Sequence, residues 1–227
     1  MVRVPGGSFE YRNTRPVRLD EFWMDRFEVT NRQYKEFVDQ GGYREPRLWK
    51  EPFAKDGRTL SREEAMALFK DGTGRPGPAG WELGSYPEGR EDYPVSGVSW
   101  YEAAAYAEWR GKSLPTFFHW YRAAELGIVS DILLLSNFGG EGPAPVGRHQ
   151  GIGPFGAYDQ AGNVREWSSN AAARGIATRS GAPGTIRPTS TTAPKPRTPG
   201  SARPSRASAA RATRRHRRRR RWRPSNT

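Results

Sequence analysis

A chain of 227 residues with a formal net charge of +13 is long enough to bury one sizeable core, but its charge is unevenly placed. The 16 Lys and Arg after residue 170 stand with no Asp or Glu, which leaves 21 basic against 24 acidic side chains, a net −3, in residues 1–170. No Cys is present, so disulfides, thiolate metal sites and thiol catalysis are excluded from these residues. No apolar run approaches the roughly 18 residues of a membrane span, and Met1-Val-Arg-Val lacks the apolar stretch of a signal peptide. The expectation is a cytoplasmic chain, although a strand-like start at the first residue equally fits the loss of an upstream part.

In chain order, Val2 to Tyr11 and Val17 to Val29 alternate apolar with polar residues and predict half-buried strands. Thr30-Asn31 caps a short helix in which Tyr34, Phe37 and Val38 share a face. Ser61-Arg-Glu-Glu64 reads as a capping box that opens a helix through Phe69 and ends at Asp71-Gly72. Residues 73–93, rich in Gly and Pro around Trp81, predict a loop crossing the surface. Trp100 to Arg110 is Ala-rich with aromatics at 101, 106 and 109 and predicts a helix ending at Gly111. A further helix follows Leu114-Pro-Thr116, with Trp120, Ala123 and Ala124 as its buried stripe. Beyond Ser136 turns dominate, with Val164 to Ser168 as a last strand. Seven of the eight Trp lie in residues 1–170, at 23, 49, 81, 100, 109, 120 and 167, so an aromatic core is expected. The fold class is α+β with little regular secondary structure.

Six phrases recur in one order across residues 4–167: Val4-Pro-Gly-Gly-Ser-Phe9, Phe27-Glu-Val-Thr-Asn31 with Tyr34 and Phe37, Pro94-Val-Ser-Gly-Val-Ser-Trp100, Lys112-Ser-Leu-Pro-Thr116, Phe155-Gly-Ala-Tyr-Asp159 and Gly162-Asn-Val-Arg-Glu-Trp167. Together they resemble the formylglycine-generating, sulfatase-modifying-factor family, and the resemblance implies an irregular C-type-lectin-like frame. Where that family usually has Leu-Pro-Thr-Glu, this chain has Leu114-Pro-Thr-Phe-Phe-His-Trp120. With Trp81-Glu-Leu-Gly84, the variant is similar to the branch appended to bacterial serine/threonine protein kinases, which implies an upstream kinase domain in an intact parent.

Formylglycine-generating members oxidise a substrate cysteine with a copper-binding cysteine pair, and a chain without Cys has no thiolate for soft Cu(I). Iron-dependent relatives take their histidine cluster from an additional upstream domain, and only His119, His149 and His216 occur here. Neither a copper nor an iron site is therefore expected. The resemblance further implies a structural Ca²⁺ at the Gly-Asn-x-x-Glu-Trp turn, with Asn163, Glu166 and the carbonyls of Ala161, Gly162 and Val164 as matching positions. A second family site begins at the position of Asn137, but its acidic segment is missing from this sequence, so one ion at most is expected. From the residues alone, Glu166 equally reads as bonding to the amides of its own turn. Glu102, Glu108 and Glu63-Glu64 read as solvated helix faces, His119 and His149 as packed or surface imidazoles, and Gly139-Gly-Glu-Gly142 is too short for a phosphate cradle.

Residues 171–227 are nearly all Ala, Arg, Pro, Ser, Thr and Gly, and predict a disordered tail after a folded, C-terminally incomplete domain at 1–170. Back-translation of Ser180 to Arg187 in a shifted frame permits Gly-Gly-Ala-Trp-Asn-Asp-Pro, which resembles the family's closing segment. A frameshift near residues 171–174 is one expectation, and sequencing the gene's 3′ end decides it. Three functions compete. They are a non-catalytic binding or regulatory domain for a small-molecule or protein ligand, an oxidase of the formylglycine class whose catalytic end is lost, and a nucleic-acid binder acting through Arg214 to Arg221. The third ranks lowest, because residues 1–170 carry no basic stripe.

Overall fold

The computed structural model describes residues 1–10, 15–125, 133–138 and 142–169. The tail reading, the frameshift and His216 lie outside these residues. The architecture is α+β, with short helices, very short strands and, among the described residues, no closed barrel.

The two long strands expected near the N-terminus are each broken in two. β1 (Val2–Val4) pairs antiparallel with β4 (Phe22–Met24), and β2 (Gly7–Phe9) pairs with β3 (Val17–Leu19). Pro5-Gly6 and Asp20-Glu21 interrupt the ladder at matching heights, because Pro offers no amide to continue it. β5 (Ala54–Lys55) and β6 (Arg58–Thr59) form a two-residue hairpin. No strand forms at Val164 to Ser168. That segment is held instead by single bonds, Trp167 Nε1 to Val98 O at 3.1 Å and Trp100 Nε1 to Ser168 O at 2.8 Å.

Helices α1 (Asn31–Asp39), α2 (Arg62–Met66) and α3 (Trp100–Trp109) each open with a complete capping box, Thr30/Gln33, Ser61/Glu64 and Ser99/Glu102. α2 is shorter than its pattern, because Leu68 is exposed and the chain turns away before Phe69 enters the core. α4 (Phe117–Ala124) buries Ala123 and Ala124 as expected. A 3₁₀ turn follows at Leu133–Leu135.

The core is a cluster of rings. Phe37 meets Tyr34, Tyr43, Tyr106 and Trp109 at centroid distances of 5.3 to 5.9 Å. Trp49, Phe53, Phe69 and Tyr101 form its second half. Two expectations fail here. Residues 73–93 do not merely cross the surface, since they drop Trp81, only 2% exposed, against Tyr34, with its indole N–H donated to Asn31 Oδ1 at 3.1 Å. Trp23 is not a core residue; it is 58% exposed on the outer side of β4, opposite Arg3.

Glu102 is the third correction. It is 3% exposed, not solvated, and accepts bonds from the Ser99 amide at 2.7 Å and from Tyr43 Oη at 2.6 Å. Burial pushes its carboxyl up to about 7, against the opposing pull of these bonds. The Ser99-x-x-Glu102 spacing repeats that of Ser61-x-x-Glu64, a signal in the sequence that could have located it. Glu102→Ala strands two buried donors and is expected to cost about 2–4 kcal/mol in urea unfolding. Glu102→Gln, which keeps an acceptor, should cost less than half of that at pH 5.

Candidate metal centre

The turn at residues 161–166 is built on tight backbone. Gly162 has φ of +105°, and a Cβ there would lie 2.8 Å from Asn137 O. Only glycine fits this crossing. Asn163, at φ +56°, donates its amide to the same Asn137 carbonyl at 2.9 Å. The turn is thereby packed directly on the 133–138 segment.

Three carboxylates gather around it. Glu28, which lies between β4 and α1, accepts Asn163 Nδ2 at 2.6 Å and the Val164 amide at 3.2 Å. Asp159 is buried and accepts the Gly147 amide at 2.9 Å. Glu166 retains some exposure as a residue, yet its carboxyl lies deep among protein atoms and accepts Trp120 Nε1 at 2.6 Å. Burial first, then the negative charges of Glu166 and Asp159, push Glu28 up to about 8, despite its bonds from Asn163 and Val164. Burial likewise pushes Glu166 up to about 7, opposed by Trp120 and aided by Asp159. No ion pair among the described residues involves any of the three. Buried carboxylates without a counter-charge either hold protons or attract a cation.

The residues expected to bind a cation divide into two groups. Among the described residues the carbonyls of Ala161, Gly162 and Val164 accept no hydrogen bond, and the Glu166 carboxyl accepts only the one from Trp120. Hard oxygens left open on one turn suit Ca²⁺. Asn163 and Asn137 are used differently. The Asn163 side-chain oxygen already takes Asn137 Nδ2 at 3.1 Å and the Ala144 amide at 2.8 Å, so it braces the turn and offers no free ligand. Asn137 also donates to Gly142 O, and residues 139–141 beside it lie outside the described set. No three His, Asp or Glu among the described residues are arranged to hold one metal ion together, so a cation here would rest on a single carboxylate and on carbonyls.

His119 packs against the edge of the Phe22 ring and shares a hydrogen bond between its Nδ1 and Thr116 Oγ1, while burial lowers its pKa. It braces the start of α4. Sequence reasoning missed Glu28 and Asp159 as members of the cluster, because they lie 138 and 7 residues from Glu166 and belong to phrases read only as family landmarks. The signal available was two acidic residues, Glu28 and Asp159, inside otherwise apolar phrases.

Among the described residues no helix is long and apolar enough to cross a membrane. A family model for the sulfatase-modifying factor enzyme 1-like domain matches residues 1–217. The chain is 32% identical over 198 residues to a hercynine oxygenase of Mycolicibacterium smegmatis, covering 74% of this chain and 45% of that protein. It is 31% identical over 186 residues to the serine/threonine-protein kinase pkn1 of Chlamydia caviae, covering 74% of this chain and 27% of the kinase. It is 27% identical over 213 residues to the inactive C-alpha-formylglycine-generating enzyme 2 of Bos taurus, covering 75% of this chain and 70% of that protein. The chain thus spans less than half the length of the oxygenase and of the kinase. By its motifs, its buried turn and these matches, the chain belongs to the sulfatase-modifying factor, formylglycine-generating-enzyme-like family.

Proposed function

We propose that this domain is a non-catalytic binding or regulatory module of its family, on a C-type-lectin-like frame, derived from a kinase-linked sensor. The observation that carries this reading is the absence of any Cys in 227 residues, because the family's peptide-cysteine oxidation needs thiolates to hold copper. Kinship with a kinase and with a relative named as inactive supports it.

Within this reading a single Ca²⁺ is structural. Glu166 and the carbonyls of Ala161, Gly162 and Val164 would hold it, and its charge would offset the repulsion among Glu28, Asp159 and Glu166. Trp120 orients Glu166 through the indole N–H, and Asn163 fixes Glu28 against the turn.

The test is to incubate the full chain with Cu(I), oxygen and a cysteine-bearing peptide and to follow the peptide by mass spectrometry. No aldehyde is the expected result, and conversion of the peptide cysteine to an aldehyde would overturn the reading. The competing oxidase reading is favoured by the 28% identity over 219 residues to the formylglycine-generating enzyme of Mus musculus, and it gains if the gene's shifted frame encodes two cysteines.

A further inference from the structure

Between the C-terminal half of α1, the turn that follows it and the loop at 75–84 lies a hollow of about 390 Å³. Four charged side chains line it, Lys35, Asp39, Arg44 and Arg75, beside the apolar Val38 and Leu83. Lys35 and Asp39 neutralise each other as an i,i+4 pair at 2.5 Å. Arg44 and Arg75 have no acidic partner among the described residues. Two unpaired guanidinium groups in one hollow stand out on a region, residues 1–170, whose net charge is −3.

Arg75 is also pre-positioned. Its Nη1 donates to Leu83 O at 2.8 Å across the loop. The loop is itself pinned at both sides on the Asp71 carboxylate, which accepts the Thr73 amide and hydroxyl, the Arg75 amide and the Gly84 amide at 2.7 to 2.9 Å. Burial of Asp71 is outweighed by these bonds, which hold its carboxyl at about 2, so that its charge is spent on the loop. The remaining guanidinium donors of Arg75 are therefore ordered before any ligand arrives, which lowers the entropic cost of binding. Arg44, exposed on the turn after α1, makes no side-chain bond among the described residues. Leu83, 66% exposed with φ of +53°, lines the hollow together with Val38 and gives it an apolar side.

We propose that this hollow binds a small organic oxyanion, a carboxylate or phosphate head carried on an apolar stem, with Arg44 and Arg75 on the head and Leu83 and Val38 on the stem. Forked guanidinium groups match the two oxygens of such heads. The site goes beyond the cation reading at Glu166 and shares no residue with it, so either can fail alone.

The Arg-rich residues after 170 attract anions anywhere along them, so the test must be resolved by residue. Amide chemical shifts of the full ¹⁵N-labelled chain are followed while phenyl phosphate, benzoate, inorganic phosphate and phenol are titrated separately. The expected result is saturable shifts of the Arg44, Arg75, Leu83 and Gly84 amides with phenyl phosphate or benzoate, weaker binding of inorganic phosphate, and no response to phenol. Whichever head binds more tightly identifies the anion class. Arg44→Ala, whose side chain holds nothing in the fold, should weaken binding at least 10-fold with the rest of the spectrum unchanged, and Arg75→Lys should weaken it less than Arg75→Ala. Shifts confined to residues elsewhere, equal response to phenol, or unchanged affinity in Arg44→Ala would overturn the proposal.

Discussion

Raising the pH from 5 to 9 in the absence of divalent cations is expected to lower the melting temperature by at least about 10 °C. Glu28, Glu102 and Glu166 are held up at about 8, 7 and 7. In the unfolded chain each ionises near 4.5. The folded domain therefore binds more protons than the unfolded chain between about pH 4.5 and 8, and its stability falls as pH rises through that window. Each group contributes on the order of 3 kcal/mol that is present at pH 4.5 and gone by pH 9. For a domain of this size each kcal/mol moves the melting temperature by roughly 2–4 °C. Asp71 acts in the opposite direction but elsewhere. Its lowered pKa of about 2 stabilises the fold above pH 4 and is lost only as pH falls further. Maximum stability is thus expected between about pH 4 and 5. Differential scanning calorimetry across this range checks the slope, and Glu28→Gln should remove the part of it that extends to pH 8. A flat profile from pH 5 to 9 would show that the three carboxyls already have counter-charges.

The second large effect lies in the ring cluster. Phe37 is 0% exposed, and Phe37→Ala is expected to cost about 3–5 kcal/mol by leaving a cavity among Tyr34, Tyr43, Tyr106 and Trp109. The same ring explains Gly42. A Cβ at that position would fall 2.0 Å from Phe37 Cε2, so Gly42→Ala is expected to cost about 1–3 kcal/mol by overpacking. Because the two changes share one space, Phe37→Leu combined with Gly42→Ala should destabilise less than the sum of the single variants in urea unfolding. Additive costs would mean that the ring and the turn do not compete.

What the sequence made legible follows from range. Helices α1 and α3, the cap at Thr30 and the capping box at Ser61 are set by residues three or four apart, and their patterns are visible in the string. The buried role of Glu102 required Tyr43, 59 residues away, to fill the space that a solvated helix face would leave to water. The break of the N-terminal strands at Pro5-Gly6 was written in the sequence but was outweighed there by the apolar alternation on both sides. Trp81 shows the limit of composition, since a Gly- and Pro-rich stretch signals irregular backbone and says nothing of where its one large side chain goes. At the candidate site, Glu166 and the turn carbonyls were reached through the family motif alone. Glu28 and Asp159 join them only because the fold stacks the segment before α1 on the 161–166 turn, and pairwise spacing carries no trace of that.

We propose that this turn is a hard-cation site in a chain that carries no Cys. It is tested most directly by titrating CaCl₂ into chelator-stripped full-length protein at pH 7.5 in buffers of different ionisation enthalpy. One saturable site per chain is expected, with release of protons from Glu28 and Glu166 on binding, and loss of the site in Glu166→Gln. Absence of saturable uptake, or an undiminished site in Glu166→Gln, would contradict it.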